Sequence, residues 1–91
     1  MRFEWDENKR LLNIRKHEID FVDAEKVFEN ETYTFIDERF TYDETRFVTL
    51  GLLEGEVVAI VHTETDKIIR LISIRRATRN EEIIYYNQVA N

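Results

Sequence analysis

The stretch IIRLISIRRATRNEE, residues 68–82, decides how this chain is read. From Lys67 to Arg76 it is rich in isoleucine with arginine interleaved, the composition of a β-strand. Thr78 and Glu81 then stand in the T-x-x-E spacing of a capping box, so a helix is predicted over about 79–90. A strand that turns straight into a helix places Arg70, Ser73, Arg75 and Arg76 on a sheet. If that strand is regular, Arg70, Ile72, Ile74 and Arg76 face one way, and Ile69, Leu71, Ser73 and Arg75 the other. Between Lys67 and Arg79 there are five basic residues and no acid, in a chain of formal net charge −6. A cationic strip in an acidic protein calls for an explanation.

Working outward, YTFID (33–37), RFVTLGLL (46–53) and VVAIVHT (57–63) also read as strands. Glu54 to Glu56 makes a hairpin of the second and third, Glu64 to Asp66 turns the chain into the focal strand, and ERFTYDE (38–44) is a loop. Val57, Ala59 and Val61 lie opposite Val58 and Ile60, so this antiparallel meander is apolar on both faces. Either the C-terminal helix or a partner protein covers the second face. Ahead of the meander, Asp20 caps a helix over roughly 21–30 whose Phe21, Ala24, Val27 and Phe28 share a face. Asp6 caps an earlier helix, about 7–17, with Leu11, Leu12 and Ile14 on one side and Lys9, Arg10, Arg15, Lys16 and His17 on another. Its cations gather at the C-terminal end, where the helix dipole favours them. Arg2 to Trp5 is a short strand at a sheet edge. The class is α+β: a short strand, two helices, a meander of about four strands and a C-terminal helix.

The 91 residues make a single domain, 1–91, with 43% apolar residues for a core. There is no cysteine, which removes disulfides, thiol nucleophiles and cysteine-ligated zinc. The N-terminus lacks the apolar run of a signal peptide and nothing approaches a membrane span, so a cytoplasmic location is expected. Residues 18–44 hold ten acids against two cations. With a pI near 4.9, general adhesion to nucleic acid is disfavoured, though a local cluster can still hold a single phosphate.

Guanidinium groups suit phosphate because they stay charged and donate two parallel hydrogen bonds, and Ser73 adds a neutral donor. On composition alone, ion pairs with the surplus of surface carboxylates are the safer account of the same arginines. His17 and His62 are the only histidines. Two imidazoles could serve as base and acid in RNA cleavage, while His62, inside an apolar strand, also reads as a hydrogen-bonded interior residue. One of Tyr85 and Tyr86, on the last helix, is expected to pack and the other to reach the sheet surface. There is no H-E-x-x-H, no glycine-rich phosphate loop and no G-x-S-x-G. The acid pairs Asp37-Glu38 and Asp43-Glu44 suggest no convergent metal site, and no cofactor is expected.

The order of motifs resembles one family. Trp5, Asp6 and Lys9 form W-D-x-x-K; Asn13, Lys16, His17, Ile19 and Phe21 form N-x-x-K-H-x-I-x-F; Ala24, Val27 and Phe28 form A-x-x-V-F. Tyr42, Glu44, Arg46, Gly51 and the V-x-T of Val61 to Thr63 follow, and I-R-L-I-S-x-R-R-A-T-x-x-E closes the match from Ile69 to Glu81. Together these resemble the BrnT toxins of type II toxin–antitoxin pairs. The resemblance implies a RelE-like fold and a metal-independent ribonuclease that slows translation. It implies a BrnA-like antitoxin with a ribbon-helix-helix domain, through which alone the complex meets operator DNA. By that resemblance Arg70 and Arg75, with Lys16 and His17, are catalytic candidates, and Arg15, Ser73, Arg76 and Arg79 are candidates to hold RNA. Glu18 stands where the family has glycine, which implies a different, strained helix stop; Asp43 replaces a second glycine, in a turn that aspartate tolerates. A positive field aids a ribonuclease, and this chain is acidic. The alternative is therefore a non-catalytic toxin-fold module that pairs with an antitoxin to regulate transcription, and the plainest is an α+β interaction domain without nuclease function.

Overall fold

A computed structural model describes residues 1–39 and 44–89. The chain runs β1 (Arg2–Glu4), α1 (Glu7–His17), a 3₁₀ turn (Phe21–Asp23) into the short helix α2 (Ala24–Phe28), β2 (Tyr33–Ile36), β3 (Phe47–Leu53), β4 (Glu56–Glu64), β5 (Ile68–Arg76) and α3 (Arg79–Gln88). The five strands form one sheet in the order β1-β5-β4-β3-β2. Strands β2 to β5 are the antiparallel meander expected, and β1 adds an edge by pairing parallel to β5, Phe3 against Ile69. The expected 21–30 helix is divided: Asp20 accepts from the Val22 N–H at 3.1 Å and starts the 3₁₀ turn, and α2 follows. The turn residues Asp43 and Tyr42 lie outside the described residues.

Local chemistry accounts for the ends of these elements. Asp6 accepts from the N–H groups of Asn8 and Lys9, at 2.8 and 3.4 Å, and starts α1. Thr78 and Glu81 form the reciprocal capping box at the start of α3. The hairpin between β3 and β4 turns on Glu54 and Gly55, both with positive φ (50° and 83°), the requirement of the tight turn that matches strand twist. α1 stops at Glu18, with φ 61° and ψ 29° and its N–H on the Ile14 carbonyl. This corrects the expectation of a different stop. The chain keeps the left-handed turn that glycine would make and accepts about 1 kcal/mol of side-chain strain there.

Each face of the sheet carries a buried apolar cluster, covered by elements of this chain. Val58, Ile60, Ile69, Leu71 and Ile74 pack under Ile19, Phe21, Ala24 and Val27 from the α1–α2 layer. On the other face Val48, Leu50, Val57, Ala59 and Val61 pack against Tyr85 of α3. Tyr85 is 3% exposed and donates to the Glu31 carbonyl at 3.1 Å, while Tyr86 is 44% exposed. The C-terminal helix, rather than a partner, therefore covers that part of the second face. α2 approaches β3 closely at Gly51, where an added Cβ would lie 2.5 Å from the Val27 side chain. Among the described residues no helix is long and apolar enough to cross a membrane.

Candidate functional site

The focal strand is not regular. Val61 pairs with Ser73, but His62 pairs with Leu71, so Ile72 is an extra residue and β5 carries a bulge. The alternation resumes in the opposite phase beyond it. Ile69, Leu71 and Ile74 all belong to the core beneath α1 and α2, and Ile72 packs into the other. The expected sharing of faces is corrected accordingly. Arg76, opposite Val58, lies on the α1–α2 face, while Ser73 and Arg75, opposite Val61 and Ala59, lie on the α3 face.

α1 packs along the outer edge of β5 where β1 has ended. Asn13, 5% exposed, is the buried residue of α1 and bonds the backbone of Ile74. This contact lays the helix beside the bulge. Between the two elements runs an open groove of about 410 Å³, lined by Lys9, Leu12, Asn13, Arg15, Lys16, His17, Ile72 and Ser73. The helix supplies the cations, because its last turn is basic, and the bulge supplies the hydroxyl. Four of the candidate residues, Arg15, Lys16, His17 and Ser73, are thus brought together.

The arginines of the strip are in a different state. Arg75 makes a two-pronged bond to Glu81, Nη1 to Oε1 at 2.7 Å and Nη2 to Oε2 at 3.0 Å. Glu81 is pushed up by burial but pulled below its ordinary range by hydrogen bonds from Arg75 and Thr78. Arg76 bonds Glu56 at 3.1 Å and caps the end of α1 by donating to the His17 carbonyl at 3.0 Å. Arg70 meets Glu4 at 3.3 Å, alongside β1 rather than in the groove lining. All three therefore have carboxylate partners. Among the described residues Arg2, Lys9, Arg15, Lys16, Lys67 and Arg79 carry no ion pair, and of these Lys9, Arg15 and Lys16 line the groove.

The two histidines are equally distinct. His17 is half-buried at the groove, and burial, Lys16 and Arg75 hold its pKa below the ordinary value, so it is neutral at pH 7. His62 is fully buried, its Nε2 2.7 Å from Thr49 Oγ1 and its ring against Phe28 and Phe47. Burial pushes its pKa down to about 4. With no path to a substrate it cannot be the second member of an acid–base pair, and the interior reading of the sequence is the one that holds. Sequence reasoning assigned no site role to Lys9, Leu12, Asn13 or Glu81. Asn13 stood inside a recognised motif, and Glu81 was legible only as a cap.

A family model described as "Ribonuclease toxin, BrnT, of type II toxin-antitoxin system" matches residues 5–81. No curated protein matches the chain. The matched segment runs from Trp5 through the groove helix, the sheet and the bulged strand to Glu81. The chain belongs to the BrnT family of type II toxin–antitoxin ribonuclease toxins.

Proposed function

We propose that this chain cleaves mRNA without a metal and so inhibits translation, and that the groove between α1 and β5 receives the scissile phosphate. One observation carries the reading. In a protein of net charge −6, cations without acid partners collect beside a neutral imidazole and a hydroxyl. Attack of the 2′-hydroxyl on the adjacent phosphate needs a base, a fixed geometry and stabilisation of the charge that develops on the phosphoryl oxygens. His17 Nδ1 or Nε2 takes the 2′-hydroxyl proton as the 2′-oxygen bonds to phosphorus; the bond to the 5′-oxygen breaks, that oxygen takes a proton from water, and a 2′,3′-cyclic phosphate is left. Lys16 and Arg15 face the phosphate oxygens, Ser73 donates to one of them, and Arg75 adds positive field from the far side of Ser73. Arg79 contacts a flanking phosphate, and Arg76 braces the end of α1 that carries His17. The partner is a BrnA-like ribbon-helix-helix antitoxin, and the pair works in the cytoplasm on its own operon.

The non-catalytic reading draws on the pairing of Arg70, Arg75 and Arg76 with carboxylates, which leaves little free charge on the strand itself. The two readings separate when the purified chain is incubated with a short RNA and with the same RNA carrying 2′-deoxy linkages. Cleavage of the first alone, ending in a 2′,3′-cyclic phosphate and lost in Lys16→Ala, supports the ribonuclease. An intact RNA in the presence of folded wild-type chain eliminates it.

A further inference from the structure

Asn13 is the place where the two halves of the groove are joined. β1 pairs with β5 only from Ile68 to Arg70, so beyond that point the outer edge of β5 lacks a neighbouring strand. A buried edge left in that condition would strand an N–H and a C=O without partners, which native interiors avoid. Asn13 supplies both halves of the missing strand with one side chain. Its Oδ1 accepts from the Ile74 N–H at 3.1 Å, and its Nδ2 donates to the Ile74 carbonyl at 2.8 Å. The second Nδ2 hydrogen reaches the Ile19 carbonyl at 2.9 Å, just past the stop of α1. An amide is the side-chain group that offers two donors and an acceptor at this reach. Aspartate would set a carboxylate oxygen against two carbonyls, and alanine would leave three backbone groups unmet.

The position along α1 matters as much as the chemistry. Residues three and four places on stand over Asn13 on the helix surface, and these are Lys16 and His17. Ser73 and Arg75 flank Ile74 on the strand. We infer that Asn13 is a positioning residue, whose clasp on Ile74 sets Lys16 and His17 opposite Ser73 and Arg75. Its consequence for catalysis rests on the ribonuclease reading of the groove.

The test uses the full chain with Asn13→Ala and the uncharged, near-isosteric Asn13→Leu, the second carrying the test if the first does not fold. Circular dichroism establishes folding, nuclear magnetic resonance follows the His17 titration and the exchange of the Ile74 amide, and kcat and KM are measured on a short RNA. The clasp predicts that His17 titrates at higher pH than in wild type and that the Ile74 amide exchanges at least about tenfold faster. It also predicts a fall in kcat of about 30- to 100-fold, with KM changed less than about threefold, because misplacement of the reacting groups outweighs lost affinity. A folded variant with wild-type His17 titration and Ile74 protection, or with wild-type kcat, overturns the inference. If wild type itself does not cleave RNA, the ribonuclease reading falls. The His17 and Ile74 measurements then decide the clasp by themselves.

Discussion

The α1–β5 groove and the interior beneath α2 each contain one histidine, and both imidazoles are held below their ordinary pKa. The causes differ. At the groove, partial burial acts together with Lys16 and Arg75, and the ring keeps one side open to solvent. In the interior, burial dominates, the ring lies between Phe28 and Phe47, and Nδ1 has no hydrogen-bond partner. The first arrangement yields a neutral base that a substrate can reach. The second yields a neutral ring that belongs to the core. A depressed pKa is therefore informative about chemistry only when access is considered beside it.

Substitutions at each histidine should pull activity and stability apart. His17→Ala is expected to lower kcat for RNA cleavage by about 10²- to 10³-fold, the range for loss of a general base, with stability within about 0.5 kcal/mol of wild type. Comparable losses in both quantities would dissolve the contrast between the two regions. His62 should show the converse. The unfolded chain protonates it near pH 6.5, while the folded chain refuses the proton until about pH 4. Its contribution is thus fully present above pH 6.5 and is lost as pH falls towards 4, amounting to about 3 kcal/mol. Denaturant melts across that range should show a steeper fall in wild type than in His62→Gln, which keeps the contribution of His17 and of the paired carboxylates and whose cleavage rate at pH 7 stays near wild type. A wild-type stability that is flat between those pH values would contradict the buried neutral ring.

Arg75 sharpens the comparison from the strand side. Its partner Glu81 has a side chain only 14% exposed, so Arg75→Ala leaves a largely buried carboxylate unpaired and should cost about 2 kcal/mol in a thermal melt. Cleavage should drop about tenfold, and the His17 titration should move upward as a neighbouring cation disappears. Arg70→Ala is the smallest effect expected. Its ion pair with Glu4 is about half exposed on both sides, so less than about 1 kcal/mol is at stake, and a cleavage rate within twofold of wild type is expected from its place outside the groove. A large loss from Arg70→Ala would move the site towards β1.

Much of this architecture can be read from local pattern. Asp6 and Thr78 announce their helices because capping is settled within four residues, and α1 spans the expected 7–17. The meander and its hairpin follow from β-branched runs broken by Glu-Gly. Period two cannot reveal the extra residue at Ile72, since a bulge depends on how β4 and β5 register across the sheet. For that reason the sequence puts Arg76 on the face of Arg70, and the fold puts it on the other.

Alone, the sequence determined the element order, the helix caps, the two apolar sheet faces, and a set of cations with a histidine that could serve RNA chemistry. Each follows from residues near one another in the chain. Only tertiary structure decided which of those cations are neutralised. Arg70 meets Glu4 from 66 residues away, Arg76 meets Glu56, and Arg75 meets the capping-box acid, whereas Lys16 and Arg15 meet none. The three arginines of the strand are paired, and the unpaired charge at the groove sits on the helix that Asn13 fastens beside it. Coulomb partners and hydrogen-bond partners are set by distance in space, which short-range pattern does not encode.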